Sequence, residues 1–214
     1  MKQPKVIFLD AFGTLFGVKG SVGEIYSGLA RSAQVKTDPQ AVNRAFFQSF
    51  AASERLAFPG ADPAAIPALE YRWWKAIVAE TFERVGALDN FEDFDAFYAD
   101  LYGYFETSMP WQVYPDTLTS LARWQSMGIP LGIISNFDSR LHRVLSVLGL
   151  VDYFQSITLS SEVGAAKPSQ AIFRAALAKH NCTAPEAWQS GDSEAVDYAG
   201  AQSAGLRAIL VARR

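Results

Sequence analysis

The sequence predicts an α/β fold: a Rossmann-like, doubly wound parallel sheet with a helical region inserted into it. Three observations lead there. Short apolar runs recur at residues 6–9, 131–134, 156–159 and 208–211, the pattern of strands buried on both faces. Between the later runs, apolar residues fall three and four apart over stretches of helical length. Residues 18–109 hold no comparable β run and read as helical throughout, so the alternation of strand and helix is interrupted once. The chain has 214 residues, half of them hydrophobic. At roughly 150 residues per domain, that length suits one domain carrying a sizeable insertion.

The first strand reads V-I-F-L and stops at Asp10, which places that acid at the strand's carboxyl end. Helical stretches follow near 21–34, 38–57, 67–86 and 91–107, punctuated by Pro39, Pro59, Gly60, Pro63, Pro67 and Gly86. Phe46, Phe47 and Phe50 share helical spacing and are expected in the insertion's own core, as are Trp73 and Trp74. Arg44, Arg55 and Arg72 are weaker candidates for holding an anionic substrate. Glu92, Asp93, Asp95 and Asp100 alternate with aromatics, as on the solvated face of an amphipathic helix.

From residue 110 the alternation is regular. A helix at 115–127 rests on Leu118, Leu121 and Trp124; strand 131–134 ends at Ser135 and Asn136; a helix at 139–149 carries Leu141, Val144 and Leu145. Strand 156–159, a helix at 168–180, a helix at 194–204 and strand 208–211 complete the chain. Gly128, Gly149 and Gly205 stand where helices should stop. Residues 187–190, A-W-Q-S, are too polar for a typical buried strand and predict a short or edge-exposed one. The expected domains are a core of 1–17 and 110–214 and an insertion of 18–109. His142 and His180 are lone helical histidines with no catalytic assignment.

Composition narrows the function. Lys and Arg number 19 against 22 Asp and Glu, a formal charge of −3, so there is no electrostatic footprint for a nucleic acid. Cys182 is the only cysteine, which excludes an intramolecular disulfide and fits a reducing, cytoplasmic setting. Asp10 cuts the first apolar run too early for a signal peptide. No run approaches the roughly 18 apolar residues of a membrane span, so no membrane partner is expected. Oligomeric state has no signal in the sequence.

In a doubly wound sheet, ligands bind beyond the carboxyl ends of the strands. Asp10, Ser135, Lys167 and Asp192, with Asp197 behind the last, each follow a strand or open a helix. Together they bring carboxylates, a hydroxyl and an ammonium group to one rim. Such a set suits Mg²⁺, which takes one or two protein carboxylates together with phosphate oxygens and water. Lys167 can balance the carboxylates, Ser135 can bind phosphate oxygens, and an Asp can attack phosphorus directly.

D-A-F-G-T at 10–14, I-I-S-N at 133–136, Lys167-Pro168 and G-D-S-E-A-V-D at 191–197 resemble the four ordered motifs of the haloacid dehalogenase superfamily. The resemblance spans essentially the whole chain. Arg72-Trp73-Trp74, S-N-F-D-S-R-L at 135–141 and S-S-E-V-G-A-A-K-P at 160–168 are similar to the subfamily named after rhythmically expressed gene 2. The resemblance implies a Rossmann-like core with a helical cap closing over the active site. It implies Asp10 as nucleophile, Lys167 as the charge-balancing lysine, and Thr14, Ser135 and Asn136 at the substrate. Mg²⁺ would be held by Asp10, the backbone carbonyl of Phe12 and Asp192, with Asp197 supporting from behind. The implied reaction is hydrolysis of a small phosphorylated metabolite.

One position departs from that pattern. Phosphatases of the superfamily carry a second Asp two residues after the nucleophile, and here Phe12 stands in its place. The 2-haloacid dehalogenases of the superfamily have an aromatic residue there, but they lack the Asp that this chain has at 192. Two alternatives therefore stand beside the phosphatase: a metal-independent 2-haloacid dehalogenase, and a catalytically weak binding or regulatory protein. A phosphonate-cleaving relative uses a cap lysine, for which Lys36 and Lys75 are in no recognisable setting.

Overall fold

The computed structural model describes residues 3–213. Its main sheet holds five parallel strands: β1 (Val6–Leu9), β4 (Leu131–Ser135), β5 (Ser156–Leu159), β6 (Ala187–Gly191) and β7 (Arg207–Leu210). Their spatial order is β5-β4-β1-β6-β7. The chain starts at the middle strand, winds outward on one side through β4 and β5, then returns to fill the other side. The order therefore reverses at β1. A crevice opens at such a switch point, beyond the carboxyl ends of β1 and its two neighbours. Register brings those ends level, with Leu9 opposite both Ile133 and Ser190.

β1, β4, β5 and β7 match the sequence prediction to within one residue. β1 and β4 are buried along their whole length, whereas β7 is an edge strand whose apolar run is not buried on both faces, with Leu210 exposed. The polar strand does not match the prediction. β6 lies inside the sheet between β1 and β7, and Gln189 and Ser190 are buried. Two ladders satisfy its backbone, and Gln189 Nε2 donates to the Ser190 carbonyl at 3.3 Å. Trp188 is covered by the Arg207 guanidinium, 4.6 Å from its ring. Gln189 Oε1 is buried without a hydrogen-bond partner, so side-chain polarity was a poor guide here: the backbone ladders on both sides hold this strand in the interior.

Two compact units make up the chain. The first comprises residues up to Gly17, Leu56–Ile66 and everything from Gln112 onward; the second comprises Val18–Arg55 and Pro67–Trp111. In the first unit, α5 (Thr117–Ser126), α6 (Arg140–Val147), α7 (Ser160–Val163), α8 (Gln170–Ala178) and α9 (Ala199–Ser203) join the strands. Ile172, Phe173 and Ala176 of α8 pack with Val6, Phe8 and Ile134 into a fully buried core. The expected helix at 194–204 is split: Glu194–Tyr198 forms a π-helical turn before α9. Residues 56–66, which the sequence assigns to the insertion, cluster instead with this first unit. Ser160 Oγ donates to the Leu56 carbonyl at 2.5 Å, and Gly164 lies against Pro59.

The second unit holds α1 (Val22–Ser32), α2 (Pro39–Ala52), α4 (Phe94–Tyr104) and all of α3 (Ile66–Arg84) beyond its first residue. Two further short strands, β2 (Phe16–Val18) and β3 (Trp111–Val113), form a separate sheet. An aromatic core fills the second unit, in which Phe82 meets Tyr26, Phe91 and Phe97 with ring centroids 5.0 to 6.3 Å apart. Trp73 and Trp74 pack against that core. Phe46 is buried, but Phe47 and Phe50 are 56% and 44% exposed, contrary to the expectation of three core rings. Phe50 follows Phe46 by one turn and stacks on it, whereas Phe47 is rotated by about 100° and faces outward. Among the described residues, no helix is long and apolar enough to cross a membrane.

Candidate active site

β1 delivers Asp10 to the crevice. Its backbone N–H donates to the Ser190 carbonyl at 2.9 Å, extending the β1–β6 ladder by one residue. The carboxylate is 7% exposed. Its Oδ1 accepts from Ser135 Oγ at 3.2 Å and Lys167 Nζ at 2.7 Å. Among the described residues, no hydrogen bond is made to Oδ2.

Lys167 is 1% exposed and buries a full ammonium group. Its Nζ donates to Asp10 Oδ1 at 2.7 Å, Asp197 Oδ1 at 2.6 Å and the Ile134 carbonyl at 2.8 Å. Those three acceptors match the three donors of an ammonium. Burial alone would lower the lysine's pKa, but the Asp10 and Asp197 carboxylates outweigh it and hold the group cationic. Burial raises the Asp10 carboxyl to about 6; Lys167 pulls it down, while Asp197 and Asp192 push it further up.

Asp192 and Asp197 come from the end of β6 and the π-helical turn behind it. Asp192 is exposed, and its Oδ1 accepts from Thr14 Oγ1 at 3.0 Å. Asp197 is buried, with Oδ2 accepting from the Ser193 N–H at 3.1 Å. Two glycines make this crowding possible. A Cβ on Gly13, whose φ is +86°, would lie 2.6 Å from Asp192 Oδ2, and one on Gly191 would lie 2.2 Å from Asp197 Cγ. Oxygens of Asp10, Asp192 and Asp197 lie within 4.8 Å of one another. Three carboxylates facing one ammonium leave an excess of negative charge, and the donor set is all oxygen, so the residues fit a hard divalent cation.

The structure thus brings Asp10, Thr14, Ser135, Lys167, Asp192 and Asp197 together. Asn136 lies at the same rim, but its side chain grips the backbone of Lys167: Nδ2 donates to the Lys167 carbonyl at 3.0 Å, and Oδ1 accepts from its N–H at 2.7 Å. The Phe12 ring is 42% exposed and makes an edge contact with Phe16. Arg44, Arg55 and Arg72 belong to the second unit. Sequence reasoning missed Arg213, which donates to the Thr14 carbonyl, pairs with Asp116 at 2.5 Å and covers the Tyr114 ring at 4.4 Å. No pattern in the sequence links a C-terminal arginine to that loop. A cavity of about 60 Å³ bounded by Thr14, Asp116 and Arg213 lies beside the loop, and none of the three clustered carboxylates lines it.

The family profile described as haloacid dehalogenase-like hydrolase matches residues 4–205. The chain belongs to that family. A relative from Mus musculus, haloacid dehalogenase-like hydrolase domain-containing protein 3, is 33% identical over 211 residues, covering 98% of this chain and 82% of its own. The rhythmically expressed gene 2 protein of Drosophila melanogaster is 27% identical over 215 residues, covering 97% and 82%. Both support the subfamily that the motifs suggested. In fold, this hydrolase is similar to an HAD phosphatase from Thermococcus onnurineus, with a TM-score of 0.63, 24% identity and coverage of 100% and 87%. It is also similar in fold to the L-2-haloacid dehalogenase of Xanthobacter autotrophicus, with a TM-score of 0.70, 19% identity and coverage of 99% and 79%. Fold likeness at this identity does not separate the two chemistries. The side chains at the rim must do so.

Proposed function

We propose that this hydrolase is a Mg²⁺-dependent phosphatase of small phosphorylated metabolites, working through an aspartyl-phosphate on Asp10. The observation that carries the reading is the set of Asp10, Asp192 and Asp197 gathered around a buried, charge-balancing Lys167. A carboxylate substrate would meet repulsion from Asp192, whereas a phosphate arriving with a divalent cation would not. Asp10, the Phe12 carbonyl and Asp192 would hold Mg²⁺. Asp197 would act through Lys167 and the Ser193 amide, since both its oxygens are already engaged. The cation would neutralise carboxylates and phosphate together and polarise the phosphoryl oxygens.

The chain's own residues carry the steps. Asp10 Oδ2 attacks phosphorus, the bond to the leaving oxygen breaks, and water then cleaves the acyl phosphate to release inorganic phosphate and restore Asp10. Ser135 and Lys167 fix the Asp10 carboxylate by holding Oδ1, and the Thr14 and Ser135 hydroxyls are assigned to the phosphate oxygens. The second unit, Val18–Arg55 and Pro67–Trp111, is assigned to substrate selection, and a cytoplasmic setting is proposed for the reaction.

Phe12 restricts the substrate. A phenyl ring can neither protonate a leaving alkoxide nor activate water. General acid–base assistance is typically worth about 10²–10⁴-fold, or roughly 3–5 kcal/mol, so leaving groups that depart without a proton are favoured. Aryl and acyl phosphates should outperform alkyl phosphates. The deciding experiment is hydrolysis of p-nitrophenyl phosphate and acetyl phosphate, with Mg²⁺ or EDTA, by wild type and Asp10→Asn. Turnover that needs the metal and disappears in Asp10→Asn is the expected result. Turnover that survives EDTA or the substitution overturns the proposal.

Phe12 also favours a second reading, in which Asp10 displaces halide from a 2-haloacid without metal, because a halide leaves unprotonated. Chloride release from 2-chloropropionate in EDTA, lost in Asp10→Asn, would establish that reading instead.

A further inference from the structure

We propose that Asn136 is a positioning residue that fixes Lys167, and that it does not bind substrate. The proposal rests on the reading of Lys167 as the charge-balancing group of the active site. It starts from the end of β4, where three consecutive residues act on one pair. The Ile134 carbonyl accepts from Lys167 Nζ, Ser135 Oγ donates to Asp10, and the Asn136 carboxamide closes a two-point contact with the backbone of Lys167.

The orientation of that carboxamide is set by its partners. The Lys167 N–H can only donate, so it must face Oδ1; the Lys167 carbonyl can only accept, so it must face Nδ2. Lys167 lies between α7 and α8, outside any strand or helix. Asn136 bonds to both of its backbone polar groups, the N–H and the carbonyl. Asn136 reproduces for one residue what a neighbouring strand would supply.

The contact matters because a lysine side chain is long and has many rotamers to lose. The ammonium must meet Asp10, Asp197 and the Ile134 carbonyl at 2.6 to 2.8 Å at once. That is achievable only if its Cα is held at a fixed distance from β1 and β4. Asn136 anchors this Cα directly to β4. A carboxamide committed in this way cannot also swing toward a phosphate without releasing Lys167.

Amine-reactive labelling of metal-free protein, read by mass spectrometry at each lysine, tests the anchor without requiring turnover. In wild type, Lys167 is expected to resist labelling. Asn136→Ala is expected to raise its labelling rate about tenfold, because both hydrogen bonds to the Lys167 backbone are lost. Lys179, also in the first unit and bonded to the Ile157 carbonyl, should not change; parallel increases at both lysines would mean general loosening and would overturn the proposal. Asn136→Asp keeps the acceptor for the Lys167 N–H but loses the donor, and should fall between the two.

Kinetics on p-nitrophenyl phosphate supply the second readout. Asn136→Ala should lower kcat with KM and the inhibition constant of inorganic phosphate nearly unchanged, and should add little further loss in a Lys167→Ala background. A raised KM and a weaker phosphate inhibition, with Lys167 labelling as in wild type, would make Asn136 a substrate ligand and overturn the proposal. Absence of turnover in wild type would count against the phosphatase reading, and the labelling result would still decide the anchor.

Discussion

Asp10 and Phe12 are two residues apart and pull the chemistry in opposite directions. On the proposed phosphatase reading Asp10 forms an acyl phosphate, while the Phe12 ring cannot help its leaving group depart. Phe12→Asp would restore the missing acid, and is expected to raise turnover of an alkyl phosphate by about 10²-fold or more, with p-nitrophenyl phosphate moving much less. Equal gains on both substrates would mean that leaving-group protonation is not what Phe12 removes. Burial gives Asp10 a further signature. Its carboxyl is raised to about 6 in the fold, against about 3.9 in an unfolded chain. Between those values the folded state binds more protons, so stability falls as pH rises through the window. The full difference is at most about 3 kcal/mol. Asp10→Asn cannot titrate, so in EDTA its stability relative to wild type should rise as pH rises from about 4 to about 6. Parallel urea-unfolding curves across that range would contradict the burial argument. Asp10, Ser135 and Asp192 could be read from the sequence because each stands at the carboxyl end of a strand. The Asn136–Lys167 contact could not, since the pair are 31 residues apart and meet only once β4 and the loop after α7 are in place.

The strands and most helices were legible because their signals are local: continuous apolar runs, three-and-four spacing, and glycine stops. Three features were not. β6 hides polar side chains in the sheet interior, the helix after it opens with a π turn, and α2 leaves Phe47 and Phe50 exposed while burying Phe46. β6 is held by ladders to β1 and β7, which no local pattern in its own residues announces. The end of β6 is the most tightly built element. Gly191 stands where a methyl group would sit 2.2 Å from Asp197 Cγ. Gly191→Ala must displace that carboxylate, and with it the acceptor of Lys167, at a cost of about 1–3 kcal/mol for overpacking. Gly28 and Gly103 lie inside α1 and α4, and a Cβ there meets nothing within 4 Å. Their substitution by Ala should stabilise the protein by about 0.5–1 kcal/mol. Chemical denaturation of the three variants gives the comparison. Destabilisation at Gly28 equal to that at Gly191 would refute the steric account.

The net charge of the chain is small, but its distribution is uneven. Asp10, Asp192 and Asp197 converge around one lysine, and that local excess of negative charge opposes folding unless something neutralises it. Lys167 does so in part. A divalent cation that binds only the folded chain would do the rest, stabilising it by about 2.7 kcal/mol at a concentration one hundred times its dissociation constant. Mg²⁺ should therefore raise the thermal midpoint of wild type, in the absence of any substrate, and EDTA should reverse the rise. Asp192→Asn is the informative variant, because Asp192 is the exposed member of the cluster and contributes nothing to holding Lys167. It should unfold at a midpoint near or above that of metal-free wild type and gain little from Mg²⁺. If it gained as much as wild type, the cation would be bound elsewhere, and the phosphatase reading would lose the observation that supports it. The dehalogenase reading predicts the opposite pattern: no response to Mg²⁺ in either protein, and a chemistry in which Asp192 hinders the approach of its carboxylate substrate.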